Sequence, residues 1–488
     1  MSTIPRLSMG ALSAARDAVR TPTYDRSRLA QGIVHLGLGA FHRAHQALYT
    51  EQVIARGDYR WGILGVSLRD RRVPEVLGAQ DHLYSVTERS GDTAQTRVVG
   101  ALLGALHAPT QLERVIAAIG EPTTAIVTTT VTEKGYSQKP ASAELDTDDP
   151  AIRHDIAHPD APRTTLGVLA AGIRRRPQGA ALTVACCDNM ASNGDTLHKV
   201  LVQFADSFDA ALARRIERDV CFPNSIVDRI VPAATPASLD YAAARLGLRD
   251  EAAIVCEPFT QWVIEDRFAG PRPAWEEAGA LLTTDVRPYQ AMKLRLLNGT
   301  HSAIAYAGQL CGLDSVSDAM AHPLVGAFAR RLMLEDLRAC VSAPAGYDVL
   351  GYCRALLKRF ENPALAHRTQ QIAMDGTQKV PVRWLPALRE SLANGVERPL
   401  LERALASWLH YLCSERSDSG APLSISDPGA APLAACLRQA AGETDAAHAA
   451  LAHTPIFGSA PWPPAFAARL ARHLSTLRRG GMAALLGA

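Results

Sequence analysis

Lysine is nearly absent from this chain: of 51 basic residues, only Lys134, Lys139, Lys199, Lys293, Lys358 and Lys379 are not arginine. Arginine stands wherever positive charge alone suffices, so the surviving lysines are enriched at positions where arginine fails. Arginine keeps its proton near neutral pH, whereas a desolvated lysine can release it and act as a base. Charge of one sign is also lacking. The formal net charge is +2, and Arg174-Arg-Arg176 and Arg71-Arg72 are too short for a nucleic-acid tail and read as solvated faces. No window approaches roughly 18 uninterrupted apolar residues, which excludes a membrane-spanning helix. The first residues lack the apolar core of a secretory signal. The nine cysteines are odd in number and scattered, and Cys186-Cys187 has no partner at zinc-site spacing. Reduced thiols in a cytoplasm are expected. What remains is a globular composition, 47% hydrophobic and 20% charged over 488 residues, enough for two domains.

Buried strand-like runs occur at 32–37, 61–66, 125–131, 181–186, 226–231 and 253–256, with helical patterns such as 112–119 and 196–204 between most of them. That alternation predicts a mostly parallel sheet covered on both faces. Residues 84–90 alternate in polarity and suggest an antiparallel addition. After about residue 285 the strand signal fades and helical patterns dominate, at 323–333, 401–412 and 464–474. Residues 414–432, rich in Ser, Asp, Gly and Pro, read as a loop. The expected fold is an α/β Rossmann-type N-terminal domain over 1–285 and a mostly α-helical C-terminal domain over 286–488. The boundary falls in the Pro- and Gly-rich stretch 272–288.

The first strand runs straight into Gly37-Leu38-Gly39-Ala40-Phe41-His42-Arg43, which opens a helical pattern over 39–49. A dinucleotide pyrophosphate rests at such a corner on backbone N–H groups. Gly37 permits the tight turn and Gly39 the close approach; His42 stands where a third glycine is usual. These seven residues are candidate cofactor contacts. Asp70, after the second strand, is the candidate for the adenosine ribose, although Arg69, Arg71 and Arg72 beside it could greet a 2′-phosphate. NAD is the expected cofactor. Thr132 and Glu133 follow another strand and are further cofactor candidates, their plainer reading being a polar turn.

With residues 287–306 taken as a helix, Lys293, Asn298 and His301 fall within an arc of roughly 140°. Carbonyl–alcohol interconversion needs a base for the hydroxyl proton and N–H donors for the developing alkoxide. Lysine suits the first role; asparagine and a protonatable histidine suit the second. Asn-Gly inside a helix carries a local cost, which points the same way. Asn189 follows a buried strand and is either a second amide donor or a helix cap, and Asp228-Arg229 is either a site acid or a structural ion pair. His35, His42 and His45 lack a carboxylate or cysteine partner at a ligand spacing, so no metal is expected.

Several segments resemble the mannitol dehydrogenase family of polyol-specific long-chain dehydrogenases. They are 33–49, 130–136, 187–189, 227–232, 257–266, 293–301 and Asp375-Gly-Thr-Gln-Lys379. The resemblance implies metal-free, NAD-dependent catalysis in a cleft between the domains. It implies Lys293 as the acid/base, Asn189 and Asn298 on the reacting oxygen, and Asp228, His301 and Lys379 on substrate hydroxyls. Segments 225–236 and 362–376 are similar to a branch acting on sugar acids, and Gln371 stands where mannitol-specific relatives carry arginine. A carboxylate would need a cation, for which Arg368 and Lys379 are candidates. Gln290 stands where relatives often place a proton-relaying glutamate. A small sugar acid or polyol is the expected partner, with no nucleic acid or membrane, the chain being a monomer or weak homo-oligomer. A neutral ketose or polyol as substrate, or NAD binding without turnover, are the rival readings.

Overall fold

The computed structural model describes residues 4–139, 144–365 and 367–487. The chain divides into two compact units, one ending at Arg287 and the other beginning at Pro288.

In chain order the strands of the first unit are β1 (Gln31–Leu36), β2 (Gly62–Ser67), β3 (Tyr84–Ser90), β4 (Thr93–Val99), β5 (Leu102–His107) and β6 (Ile126–Thr129). They continue as β7 (Leu182–Cys186), β8 (Val220–Cys221), β9 (Ser225–Asp228), β10 (Ile254–Cys256), β11 (Gln261–Glu265) and β12 (Leu281–Thr283). Six of them form one sheet in the order β5-β2-β1-β6-β7-β8, every pairing parallel. This is the Rossmann-type arrangement. The direction of strand order reverses between β1 and β6, and ligands bind beyond the carboxyl ends of strands at such a point.

Apolar side chains on both faces explain the parallel sheet. Along β1, Ile33 packs with Trp61, Tyr84 and Trp262, while Val34 and Leu36 pack on the other face with Val115, Leu169 and Leu201. The helices Ala108–Gly120, Thr165–Arg175 and Asn193–Asp206 supply that second face. Residues 84–90 form the expected antiparallel pair, β3 with β4.

Two strand expectations need correction. The run at 226–231 forms β9, which pairs antiparallel with β11 in a separate three-stranded sheet, and the run at 253–256 forms β10, beside β3 in another. A short apolar run has the same period in either setting, so only tertiary pairing separates them. The helix expected over 39–49 is broken at His45 (φ −125°, ψ −92°) into Ala40–Ala44 and Gln46–Ala55.

Within that second helix, Glu51 is buried and accepts hydrogen bonds from the Tyr24 hydroxyl (2.7 Å) and the Gly100 N–H (2.9 Å). Burial pushes its carboxyl from the ordinary 4.5 up to about 7. Stability from a carboxyl raised in this way is complete below pH 4.5 and is lost as the pH rises through 7. The difference in unfolding free energy between the native protein and Glu51→Gln should therefore move against the native protein by roughly 3 kcal/mol from pH 4.5 to 8. Urea unfolding at both pH values reads it; a constant difference would show that Glu51 stays ionised in the fold.

The second unit is helical. Its central helix Thr300–Cys311 is buried from Ser302 to Gly308 and packs against Thr369–Ala373 and Pro399–Tyr411. Such all-round burial fits its apolar sequence Ala303-Ile-Ala-Tyr-Ala-Gly308. The loop expected over 414–432 ends earlier, where the helix Ala430–Gln439 begins. Among the described residues, no helix is long and apolar enough to cross a membrane.

Candidate active site

At the β1–β6 switch the chain leaves β1 through Gly37 at φ +102°. A Cβ there would meet the Thr130 carbonyl oxygen at 2.1 Å, so only glycine fits. The N–H groups of Gly37 and Leu38 both donate to the Val66 carbonyl (2.9 and 3.0 Å), and the Gly37 carbonyl accepts from the Thr130 hydroxyl (2.9 Å). Gly39 differs. A Cβ on it would meet nothing nearer than the Gly37 oxygen at 3.7 Å, so its bareness leaves room toward a cavity. That cavity has a volume of about 560 Å³ and is lined by Gly37, Leu38, Gly39, Asp70 and Thr132 among the expected residues. Glycine backbone, cavity size and a carboxylate beyond β2 together suit a dinucleotide.

Other expected contacts turn elsewhere. Ala40, Phe41, His42 and Arg43 do not line the cavity. His42 is buried and stacks on His35, ring centroids 3.4 Å apart and the rings nearly parallel. Two flat rings thus fill the strand–helix gap that a third glycine usually closes, and the one-turn helix broken at His45 accommodates them. Burial holds His35 down to about 3 and His42 well below its ordinary value, so both are neutral. Arg43 is buried too, donating to the Ala252 carbonyl and lying over the Tyr84 ring. Phe41 stacks with His45. The side chain of Glu133 lies outside the described residues, although its backbone opens the turn Glu133–Tyr136.

Asp188, just beyond β7, accepts from the N–H groups of Val131 and Thr132 and from the Tyr136 hydroxyl. It fastens the cavity rim rather than capping the next helix, whose N-cap is Ser192. Asn189 follows, exposed. The structural work at this corner falls to Asn193: its amide donates to the Cys186 and Asp188 carbonyls (3.0 and 2.9 Å) and its oxygen accepts from Ser225 N–H. Asp228 ends β9 and is buried. Its neighbour Arg229 pairs with Glu88, not with Asp228. Arg163 also lines the cavity, a contact sequence reasoning missed. It lies in the crossover after β6, where no motif marks it.

The second unit carries the remaining candidates. The helix that begins at Arg287 is α-helical to Met292, π-helical over Lys293–Gly299 and α-helical again from Thr300. A plain α-helix would set Lys293 and Asn298 roughly 140° apart. A π-turn closes i to i+5, which brings residues five apart onto one side. Lys293 is buried and Asn298 half-buried. His301 lies between Phe360 and His367, ring centroids 5.1 and 4.9 Å away. Its Nε2 is buried with no hydrogen-bond partner among the described residues. Burial, then His367, Arg383, Arg359 and Lys379, hold the imidazole well below its ordinary value. The protonatable donor expected here is thus a neutral ring offering one N–H.

Lys379, on the helix Gly376–Arg383, donates to the Ile372 and Met374 carbonyls (3.2 and 2.6 Å). Burial lowers its ammonium below the ordinary lysine value. Arg368 is exposed at the N-cap of Thr369–Ala373. The structure therefore carries Lys293, Asn298 and His301 on one π–α helical run, places Lys379 near His301, and sets Arg368 at a helix end. Arg359 and Arg383 were missed; the one-turn spacing of Arg383 from Lys379 was the available signal. Among the described residues, no group of three or more His, Cys, Asp or Glu side chains is placed to hold a metal ion.

Residues 31–277 match the mannitol dehydrogenase Rossmann domain and residues 285–478 the mannitol dehydrogenase C-terminal domain. The chain belongs to the mannitol dehydrogenase family. It is 43% identical to the D-mannonate oxidoreductase of Escherichia coli (strain K12), over 84% of this chain and 85% of that one. It is 39% identical to a mannitol 2-dehydrogenase of Cereibacter sphaeroides, over 96% and 98%. The solved Pseudomonas fluorescens mannitol 2-dehydrogenase, a ternary complex with NAD and D-mannitol, is similar at a TM-score of 0.81 and 35% identity, covering 99% of each chain. Members of this family are oxidoreductases acting on secondary alcohols, and the relatives divide between a sugar acid and a neutral polyol.

Proposed function

We propose that this chain interconverts D-fructuronate and D-mannonate, with NAD as hydride carrier and Lys293 as the acid/base. The observation that carries the sugar-acid reading is the cationic neighbourhood of His301, made by Arg359, Lys379 and Arg383. Positive charge gathered around a partly buried polar site suits an anionic substrate. The 43% identity to a D-mannonate oxidoreductase supports it. Comparable identity to mannitol 2-dehydrogenases keeps mannitol–fructose interconversion as the second reading.

Gly37, Leu38, Gly39 and Thr132 hold the dinucleotide, and Asp70 takes the adenosine ribose. When bound, the nicotinamide supplies or accepts the hydride. Lys293 gives its proton to the forming hydroxyl in reduction and takes it back in oxidation. The amides of Asn189 and Asn298 hold the reacting oxygen, and neutral His301 donates one N–H to the substrate. Asp228 and Lys379 bind the remaining hydroxyls. NADH oxidation assayed with fructuronate, tagaturonate and fructose tests the reading. Fructuronate should give the highest kcat/KM, and a lead for fructose would transfer the assignment to the neutral polyol branch. With NADPH the rate should fall, because the Asp70 carboxylate repels a 2′-phosphate.

Arg368 is the first residue to test as the carboxylate's partner. A charge-assisted hydrogen bond contributes about 1.5–3 kcal/mol, so Arg368→Ala should raise KM for fructuronate by about one to two orders of magnitude. KM for fructose should barely move. Equal effects on both substrates would leave Arg368 a solvated helix-end charge and make Lys379 the partner to replace next.

A further inference from the structure

The π-turn that sets Lys293 beside Asn298 is gripped at its C-terminal end by two consecutive residues from a distant part of the second unit. Arg383 Nη1 donates to the Asn298 carbonyl (3.3 Å) and to the Ser302 hydroxyl (2.7 Å). Trp384 Nε1 donates to the Gly299 carbonyl (3.0 Å). Trp384 is fully buried and sits where the helix Gly376–Arg383 ends and Leu385–Ala393 begins, its own φ/ψ of −120°/−43° marking the break. The break turns two successive side chains onto successive carbonyls of the π–α junction. The Arg383 guanidinium has no acidic partner in these bonds; its acceptors are a carbonyl and a hydroxyl.

A π-turn is rarer than an α-turn, and isolated ones persist where surrounding structure holds them. Slipping this helix back to α register would rotate everything before Asn298 by about 100° per residue of slip, carrying Lys293 away from Asn298 and His301. Donors fixed to the Asn298 and Gly299 carbonyls oppose that slip. Neither Arg383 nor Trp384 needs to meet the substrate to affect the reaction.

We infer that Arg383 and Trp384 are positioning residues, which lock the Lys293–Gly299 π-turn and so hold the acid/base lysine in register with Asn298. This rests on the acid/base reading of Lys293, so the test separates the two. Whichever substrate the native enzyme turns over serves as probe. Trp384→Phe keeps a buried aromatic ring but removes the N–H together with part of the indole's volume; it should lower kcat at least tenfold, leaving substrate KM and NADH Kd within about twofold. Arg383→Lys keeps one donor and should recover most of the kcat lost in Arg383→Ala. On a Lys293→Ala background, Trp384→Phe should cost nothing further, because residues that act as a unit are non-additive. Unchanged kcat in Trp384→Phe, or a full additional loss on the Lys293→Ala background, would overturn the inference. If Lys293→Ala itself retained turnover, the acid/base reading would fall. Hydrogen exchange of amides 294–303 would then decide the positioning claim alone: faster exchange in Trp384→Phe supports it, and unchanged exchange overturns it.

Discussion

Lys293→Ala is expected to lower turnover by about 10²–10⁴-fold while NADH binding stays nearly intact, because losing a positioned general acid/base removes only the proton in flight. An alternative proton donor on the helix is His301, eight residues on. Its imidazole is held well below the ordinary histidine value by burial and by the surrounding cations, so at neutral pH it carries no proton to spare. Lys293→Arg should be nearly as damaged, since guanidinium preserves charge without releasing a proton. Single-turnover NADH oxidation, paired with NADH titration by fluorescence, separates chemistry from binding. Near-normal turnover in either variant would mean that another residue moves the proton.

The parts of this site legible in the sequence are those written in local pattern. Gly37 and Gly39 stand at a strand–helix corner where backbone geometry demands glycine or profits from it, and the structure gives each a separate reason. Asp70 and Thr132 follow apolar strands and meet the same cavity. Facing is what local pattern does not carry. Adjacency to the glycines suggests His42 and Arg43 as cofactor contacts, yet a one-turn helix can send such side chains inward, and here it does. The runs forming β9 and β10 looked like further parallel strands because apolar period is blind to partner.

The π-turn was the least legible feature. Its side-chain pattern reads as α-helix, and the donors on its Asn298 and Gly299 carbonyls lie 85 residues further along the chain. The Asn298-Gly299 dipeptide was the one local sign that something unusual happens there. As a local cost it marks this helix, but it does not distinguish a π-turn from an α-turn. The consequence is chemical: five residues of separation mean opposite-leaning side chains in one geometry and neighbours in the other.

Gly37→Ala should be the most damaging change in the first unit. At φ +102° an alanine carries backbone strain of roughly 1–3 kcal/mol before any contact is counted. Its Cβ would also meet the Thr130 oxygen at 2.1 Å and the Thr130 carbonyl carbon at 2.7 Å, both backbone atoms just beyond β6. They can retreat only by opening the β1–β6 pairing at the switch point, the place where the cavity forms. Thermal stability and NADH affinity should therefore fall together, with Kd rising at least a hundredfold. Gly39→Ala is the discriminating partner. Its Cβ meets no protein atom closer than 3.7 Å and projects where the cavity needs space, so it should weaken NADH binding while leaving the melting temperature within a few degrees of native. Melting curves and NADH titrations on the two variants read the contrast directly. Wild-type NADH affinity in Gly37→Ala would place the dinucleotide elsewhere, and equal destabilisation of the two variants would show that Gly39 is held by the fold and not by its ligand.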